Sequence, residues 1–188
     1  KQGLADSQAE LRKLKGGYIN TVWCIDAPNR CLVAKEFVKP MTGTLFPNLP
    51  TDEAEALRRL AGLDVAPELV GFWPEKSLLI YDFVEGNMWD GDVHGVAQML
   101  LRKEAADPTG FRSVPLNPQD IIAEGDALFA RCKSPPDAIY PPRVLVPPPQ
   151  KLSLIHTDIG VNLVGAGKTL RLIDWQCPAI GDICEDIY

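Results

Sequence analysis

Carboxylates follow two short apolar runs near the C-terminal end of the sequence. The run Leu152–Ile155 leads into Asp158 and Asn162. The run Leu170–Ile173 leads directly into Asp174. A carboxylate at the end of a buried strand is costly unless it is solvated, paired or bound to a metal. Two such groups on neighbouring strand ends therefore indicate a functional site.

The two runs are predicted to be strands of one hairpin. Both are rich in Leu and Ile, and Gly165 and Gly167 lie between them, which is typical of buried strands joined by a turn. Carboxylate and amide oxygens suit Mg²⁺. A further Asp can accept or orient the proton of an attacking hydroxyl. These strand ends are thus suited to metal binding and proton transfer.

Residues suited to phosphate binding lie in the first part of the chain. Gly16 and Gly17 precede the strand-like stretch Thr21–Ile25. Paired glycines let backbone N–H groups approach a phosphate closely, although an ordinary tight turn has the same pattern. Lys35 follows the apolar run Leu32–Ala34, where a Lys either extends to solvent or pairs with an anion.

A helix is predicted over Thr51–Leu60, with Thr51 or Asp52 as its cap and acidic residues in its first turn. Glu53 lies on the apolar face of that helix. We expect it either to meet Lys35 or to interact at the surface with the helix dipole.

The remaining patterns predict two strands, two helices and a proline-rich tether: Val65–Phe72, Ser77–Phe83, Val93–Ala105, Gln119–Cys132 and Ser134–Gln150. Sheet elements therefore dominate residues 1–84 and helices begin after them. We expect a lobe boundary near Val84–Gly86. The two parts would be residues 1–84 and residues 85–188.

The composition limits the class of protein. The chain has 188 residues, 46% of them hydrophobic, and a net charge of −6. A negative chain is a poor partner for nucleic acid, and no apolar run is long enough for a membrane span. Five cysteines without a CxxC pair favour free thiols in a reducing cytoplasm over a disulfide framework or a zinc site. The acidic charge leaves room for a cationic small substrate.

A glycine turn, a strand Lys, a helix Glu, an Asp–Asn pair and a second Asp are the parts that phosphoryl transfer from a nucleotide requires. The sequence resembles the aminoglycoside phosphotransferase and choline/ethanolamine kinase superfamily, a branch of the protein-kinase-like fold. Six motifs in the family's order carry the resemblance: GGYIN, LVAK, TDEAEALRRL, LLIYDFVEG, IHTDIGVNLV and LRLIDWQCPAIGD. It implies an α+β fold of two lobes, with an antiparallel sheet and one helix in the first and a mainly helical second lobe that contains a catalytic hairpin. Residues 1–84 would be the ATP-binding lobe, and residues 85–188 would be a partial catalytic and substrate lobe.

The resemblance also implies a role for each matching residue. Asp158 would be the catalytic carboxylate, and Asn162 and Asp174 would hold Mg²⁺. His156 would brace the loop, Trp175 would be core, and Asp182 and Asp186 would be structural or would shape the substrate site. ATP would be bound by Gly16, Gly17, Asn20, Lys35, Glu53, Tyr81, Asp82 and Val84.

Within that set, Lys35 would hold the phosphates and Glu53 would pair with it, Glu55 being the second choice. Main-chain groups of Asp82 and Val84 would meet the adenine. The implied activity is ATP-dependent phosphorylation of a small-molecule hydroxyl, on an amino alcohol of the choline or ethanolamine type or on an aminoglycoside. GGYIN and the run APELVGFWPEKSLLIYDF, which leads into the hinge at Asp82–Val84, favour the choline kinase side.

The sequence departs from the family pattern in the catalytic loop. Asn162 follows Asp158 after four positions, one fewer than is usual in the family. A real deletion there favours the alternative of a catalytically silent nucleotide-binding module. Because the chain begins with Lys1 and ends at Tyr188, we also expect it to be incomplete, with part of the substrate pocket missing. Nothing in the sequence indicates an oligomeric state.

Overall fold

The structure is a computed structural model, and it describes residues 9–15, 19–27, 29–44, 46–134, 149 and 151–187. Its strands are β1 Glu10–Lys13, β2 Thr21–Ala27, β3 Arg30–Glu36, β4 Leu69–Trp73, β5 Leu78–Asp82, β6 Leu152–Ile155, β7 Leu163–Val164, β8 Arg171–Leu172 and β9 Ala179–Asp182. Its helices are α1 Pro50–Leu60, α2 Val93–Lys103 and α3 Pro118–Phe129. Among the described residues, no helix is both long and apolar enough to span a bilayer.

Five strands form one antiparallel sheet in the order β1-β2-β3-β5-β4. Side chains alternate between its faces. One face carries a small apolar cluster that includes Ile25, Leu32 and Ile80. The other carries Val33 and Leu79, which belong to the main core together with α1 and residues of α2, β6, β7 and β8. The main core therefore joins the sheet to the C-terminal strands.

Helix α1 begins one residue earlier than predicted, and its predicted cap is wrong. Leu49 is the N-cap, no side chain caps the helix, and Pro50 occupies its first turn. Proline suits that position because its fixed φ fits the helix and its missing N–H would have no partner there. The helix buries Ala54, Leu57 and Leu60, as its apolar spacing predicts.

The predicted pairing of the two C-terminal apolar runs is also wrong. β6 pairs with β9, whereas β8 pairs with β7. The hairpin is thus formed by β7 and β8 around Gly165, and the first run belongs to a separate two-stranded sheet. Two apolar runs of similar length do not specify their partners, because periodicity shows burial but not pairing.

The other boundaries differ less. The strand predicted from Val65 starts at Leu69. Both central helices are confirmed, and each ends two or three residues earlier than predicted. Nearly all of the predicted tether, apart from Ser134 and Pro149, lies outside the described residues.

Candidate functional site

Lys35, Glu53 and Asp174 meet in one ion-paired triad. The Nζ of Lys35 lies 2.5 Å from Oε2 of Glu53 and also contacts Oδ1 of Asp174. The Lys35 and Glu53 side chains are 3% and 1% exposed, whereas Asp174 is 37% exposed. The predicted contact between Lys35 and Glu53 is confirmed. Glu55, the second choice, pairs instead with Arg58 and Arg59.

Local structure explains how the triad forms. Lys35 lies near the end of β3, opposite Val22 and Leu79, on the sheet face that contacts α1. The stem of Lys35 is buried, and its ammonium lies 5.0 Å from the centre of the Phe37 ring. Glu53 is in the first turn of α1, where the helix dipole favours a carboxylate.

When both of its carboxylates are ionised, the triad carries one positive and two negative charges in a largely buried position. Burial alone would lower the pKa of Lys35, but the charges of Glu53 and Asp174 raise it above its usual value. Burial raises the pKa of Glu53 to about 7, with Asp174 adding to the shift and Lys35 opposing it. An additional cation at Asp174 would balance the excess negative charge.

His156 links the two acidic loops. Its Nε2 donates to the carbonyl of Ile173 at 2.9 Å, and its Nδ1 accepts from the backbone N–H of Asp158 at 3.3 Å. Burial lowers the pKa of His156, so the ring is neutral with its proton on Nε2. The ring also packs edge-on against the buried Trp175, with centroids 4.7 Å apart. This geometry agrees with the predicted bracing role.

Asn162 lies beside the Asp174 segment despite the short spacing. A 3-10 turn over Gly160–Asn162 takes up the four-position separation from Asp158. The Nδ2 of Asn162 donates to the carbonyl of Asp158 at 2.7 Å. The backbone N–H of Ile173 donates to the carbonyl of Asn162 at 2.9 Å. The β7–β8 hairpin therefore brings Asn162 and Asp174 to the same end.

Two residues of these loops have left-handed backbone conformations. Thr157 has φ 68° and Asp174 has φ 64°, values that cost a non-glycine residue about 1–3 kcal/mol. Hydrogen bonds hold Thr157 in place, because its N–H donates to Asp186 and its Oγ1 donates to the carbonyl of Cys177. The surrounding contacts thus fix the backbone on either side of the exposed Asp158.

The glycine turn can be described only at its end. Gly16 and Gly17 lie outside the described residues. Asn20 is buried, and its Nδ2 donates to Asn48 Oδ1 at 3.0 Å and to Gln176 Oε1 at 3.1 Å. Gln176 follows Asp174 by two positions. These amides therefore tie the end of the turn to the acidic segment, a contact that sequence reasoning missed because isolated amides give no signal of their partners.

The predicted hinge, residues 82–84, begins at the last residue of β5 in the five-stranded sheet. Tyr81 is buried and Asp82 bonds Arg30, whose Nε and Nη2 donate to its Oδ1 at 2.9 and 2.7 Å. The N–H groups of Asp82 and Phe83 donate to the carbonyls of Glu68 and Cys31. Within the described part of the chain, the N–H of Val84 has no such partner, so it remains available to a ligand.

A buried ion pair supports the loop that carries Asp158, and sequence reasoning missed the lysine of that pair. Lys103 Nζ lies 2.6 Å from Asp186 Oδ2 and 2.5 Å from the carbonyl of Leu154. Asp186 also accepts from the N–H of His156 at 2.9 Å. Asp186 is thus structural. Asp182 has a separate role, since it caps the 3-10 helix Ile183–Asp186.

Comparison with solved structures identifies the fold. The chain matches a choline/ethanolamine kinase family protein from Mesorhizobium loti with a TM-score of 0.62 and 17% identity, covering 96% of this chain and 62% of that one. It matches a choline kinase from Cryptosporidium parvum with a TM-score of 0.67 and 16% identity, covering 98% and 63%. A thermostable mutant of an aminoglycoside phosphotransferase, in a ternary complex with ADP and hygromycin B, matches with a TM-score of 0.62 and 16% identity, covering 95% and 70%.

The class that these matches define is the two-lobed, protein-kinase-like fold of the choline kinases and aminoglycoside phosphotransferases. The predicted fold class is confirmed. No protein-family model and no curated protein sequence matches the chain. The chain spans slightly less than two thirds of the first solved structures it matches, 62% and 65% of their length.

Proposed function

We propose that this chain is the nucleotide-binding and catalytic portion of a phosphotransferase that moves the γ-phosphate of ATP to a hydroxyl of a small molecule. The triad of Lys35, Glu53 and Asp174 carries the proposal, because it joins the sheet, helix α1 and the acidic loop around one cation. The ADP in one structure of the same fold supports a nucleotide as the ligand.

Each residue then has a defined task. Lys35, held by Glu53, would bind the α- and β-phosphates, and the free N–H of Val84, the carbonyl of Asp82 and Tyr81 would bind the adenine. The exposed carboxylate of Asp158 would accept the proton of the acceptor hydroxyl. That oxygen bonds to the γ-phosphorus, the bond from phosphorus to the bridging oxygen breaks, and ADP leaves. Gly16, Gly17 and Asn20 remain candidates for phosphate binding on the sequence motif alone.

The donor set also fits Mg²⁺. The side-chain oxygen Oδ1 of Asn162 and the Oδ2 of Asp174 have no protein partner among the described residues. Both are oxygen donors of the kind that Mg²⁺ takes. The ion would supply positive charge to the phosphates. The excess negative charge of the triad favours the same ion.

The acceptor is proposed only by class. The hinge and glycine motifs favour an amino alcohol of the choline or ethanolamine type, and an aminoglycoside is the second choice. Because the chain covers less than two thirds of the first choline kinase structures it matches, the acceptor is best identified by measuring ATP consumption against a panel of amino alcohols, primary alcohols and aminoglycosides.

One substitution tests the chemistry. Asp158→Asn should lower turnover by about 100- to 10,000-fold, the usual contribution of a general base, while ATP affinity is retained. Glu75→Gln, an exposed carboxylate in the turn between β4 and β5, is the matched control. Unchanged turnover in Asp158→Asn would remove the proposed role of that residue. Wild-type protein that binds ATP equally well with and without Mg²⁺, and turns over no acceptor, would support the silent module that the short loop suggests.

A further inference from the structure

Two cysteines and one carboxylate converge on the hairpin formed by β2 and β3. The Sγ atoms of Cys24 and Cys31 are 3.0 Å apart. Both thiols donate to the same oxygen, Oδ1 of Asp26, at 3.2 Å. Among the described residues, this is the one group of three or more His, Cys, Asp or Glu side chains whose ligand atoms approach one another closely enough to share a metal ion.

Strand geometry explains the convergence. Cys24 and Asp26 are two positions apart on β2 and so project from the same face. Cys31 is directly opposite Asp26 on β3, which places it on that face as well. Two residues at positions i and i+2 and the cross-strand neighbour of one of them thus bring three side chains together on one face of a two-stranded hairpin. The CxxC spacing by which zinc sites are usually recognised is therefore not required.

We infer that Cys24, Asp26 and Cys31 form a binding site for a thiophilic divalent cation of the zinc type. Two thiolates and one carboxylate would be the protein ligands, and water would complete a tetrahedral shell. The inference is independent of the proposed phosphotransferase activity, since none of the three residues belongs to the triad or to the acidic loops.

The distance between the two sulfur atoms suits a zinc ion after a small movement. Zinc–sulfur bonds of about 2.3 Å in a tetrahedral shell separate two sulfurs by about 3.8 Å, so the thiols must move apart by less than about 1 Å. Cys24 is buried and Cys31 is half-buried. A change in the Cys31 side chain alone can therefore admit the ion.

The charges fit as well. Binding displaces one proton from each thiol to solvent, which leaves two thiolates, the Asp26 carboxylate and a divalent cation with a net charge of −1. Arg12 Nη2, 3.8 Å from Asp26 Oδ2, balances that charge. Soft thiolates select zinc-like ions over Mg²⁺, so this site would not compete with the proposed nucleotide site for its metal.

The geometry favours a metal ion because the ligand atoms of all three side chains lie close enough together for one cation to bind them at once. Since the ion displaces the protons of both thiols, its affinity should rise with pH.

The test is a titration of the fully reduced whole chain with Co²⁺, whose thiolate complexes absorb visible light. We expect one equivalent to bind, Zn²⁺ to displace it, and excess Mg²⁺ to have no effect. Cys31→Ser should weaken binding more than about 100-fold, since it removes a direct ligand rather than an outer partner. Asp26→Asn keeps an oxygen donor but loses the charge, so it should weaken Co²⁺ binding less than Cys31→Ser does.

Cys184→Ser, at an exposed cysteine elsewhere in the chain, is the matched control and should bind like the wild type. Zn²⁺ should raise the Tm of the wild type and of Cys184→Ser but not that of Cys31→Ser. Because Cys31 is only half-buried, its Ser variant should remain folded, which circular dichroism checks. The site does not exist if the reduced wild type fails to bind Co²⁺ or if Cys31→Ser binds it normally.

Discussion

Lys103 and Asp186 form an ion pair 2.6 Å long in which both side chains are 0% exposed. Lys103 ends helix α2, and Asp186 accepts the backbone N–H groups of His156 and Thr157. A single buried cation therefore supports the carboxylate that holds the loop before Asp158. The pair connects the helical part of the chain to the proposed catalytic loop.

We predict that Lys103→Met destabilises the protein by about 3–5 kcal/mol, because it leaves Asp186 charged and buried without its partner. Urea unfolding measures this change. The double variant Lys103→Met with Asp186→Asn should be more stable than Lys103→Met alone, since the neutral amide no longer requires a cation and can still accept from the loop.

Lys151 provides the control for that pair. It lies 2.8 Å from Glu104, but its side chain is 62% exposed, and exposed pairs contribute about 0–1 kcal/mol. Lys151→Met should therefore unfold almost as the wild type does. Equal losses in the two Met variants would mean that burial of the Lys103 pair has no special role.

Glu53 should make the stability depend on pH between about 4.5 and about 7. Its usual pKa is 4.5 and burial raises it to about 7 in the folded chain. The folded state thus binds a proton that the unfolded state has released, and stability falls as pH rises through this window, by up to about 3 kcal/mol. Lys35 titrates above the window because its carboxylate partners raise its pKa.

Glu53→Gln should remove this contribution, because the amide stays neutral at every pH. The quantity to measure is the difference in unfolding free energy between Glu53→Gln and the wild type at about pH 5 and about pH 8. Taking this difference removes the pH-dependent contributions of other groups to the unfolding free energy. His156 is one of these groups, and because its pKa is lowered, its contribution makes stability rise with pH. Glu55→Gln, on the same helix but at the surface, is the control. A difference that does not change with pH would contradict the prediction.

The sequence predicts contacts that follow from local periodicity and misses those that depend on pairing. Lys35 and Glu53 could be matched because each interrupts an apolar pattern on its own element. Lys103 had no such signal, since a basic residue in the last turn of a helix is usually a surface partner of the dipole. Its carboxylate lies 83 positions away.

The same limit explains the hairpin and the cysteines. The apolar runs before His156 and Asp174 each pair with a different short strand that their own residues do not specify. Cys24 and Cys31 meet only because the β2–β3 register sets Asp26 opposite Cys31. A one-residue shift of that register would move Cys31 to the other face of the sheet.

We predict that His156→Leu lowers turnover by about 100-fold, the order of loss expected when a catalytic group is misplaced by about 1 Å, and leaves ATP affinity nearly unchanged. Leu cannot donate to the carbonyl of Ile173 or accept from the N–H of Asp158, so Asp158 would lose its position relative to Asp174. His156→Gln keeps a donor and should recover part of the turnover. A parallel loss of ATP binding would show that His156 supports the whole fold rather than the loop.

Gly165→Ala should be the most disruptive small substitution in the β7–β8 hairpin. Gly165 has φ +95°, and a Cβ there would lie 2.7 Å from the carbonyl oxygen of Thr169. Its N–H also donates to Asn87 at 2.9 Å, which ties the hairpin to the segment after the hinge. We expect a loss of about 1–3 kcal/mol of stability, measured by urea unfolding, and weaker Mg²⁺-dependent ATP binding as Asn162 and Asp174 separate.

Gly125→Ala in α3, where a Cβ meets nothing within 4 Å, should instead stabilise the protein by about 0.5–1 kcal/mol and leave ATP binding intact. If both variants behave alike, the turn at Gly165 does not position the proposed metal ligands.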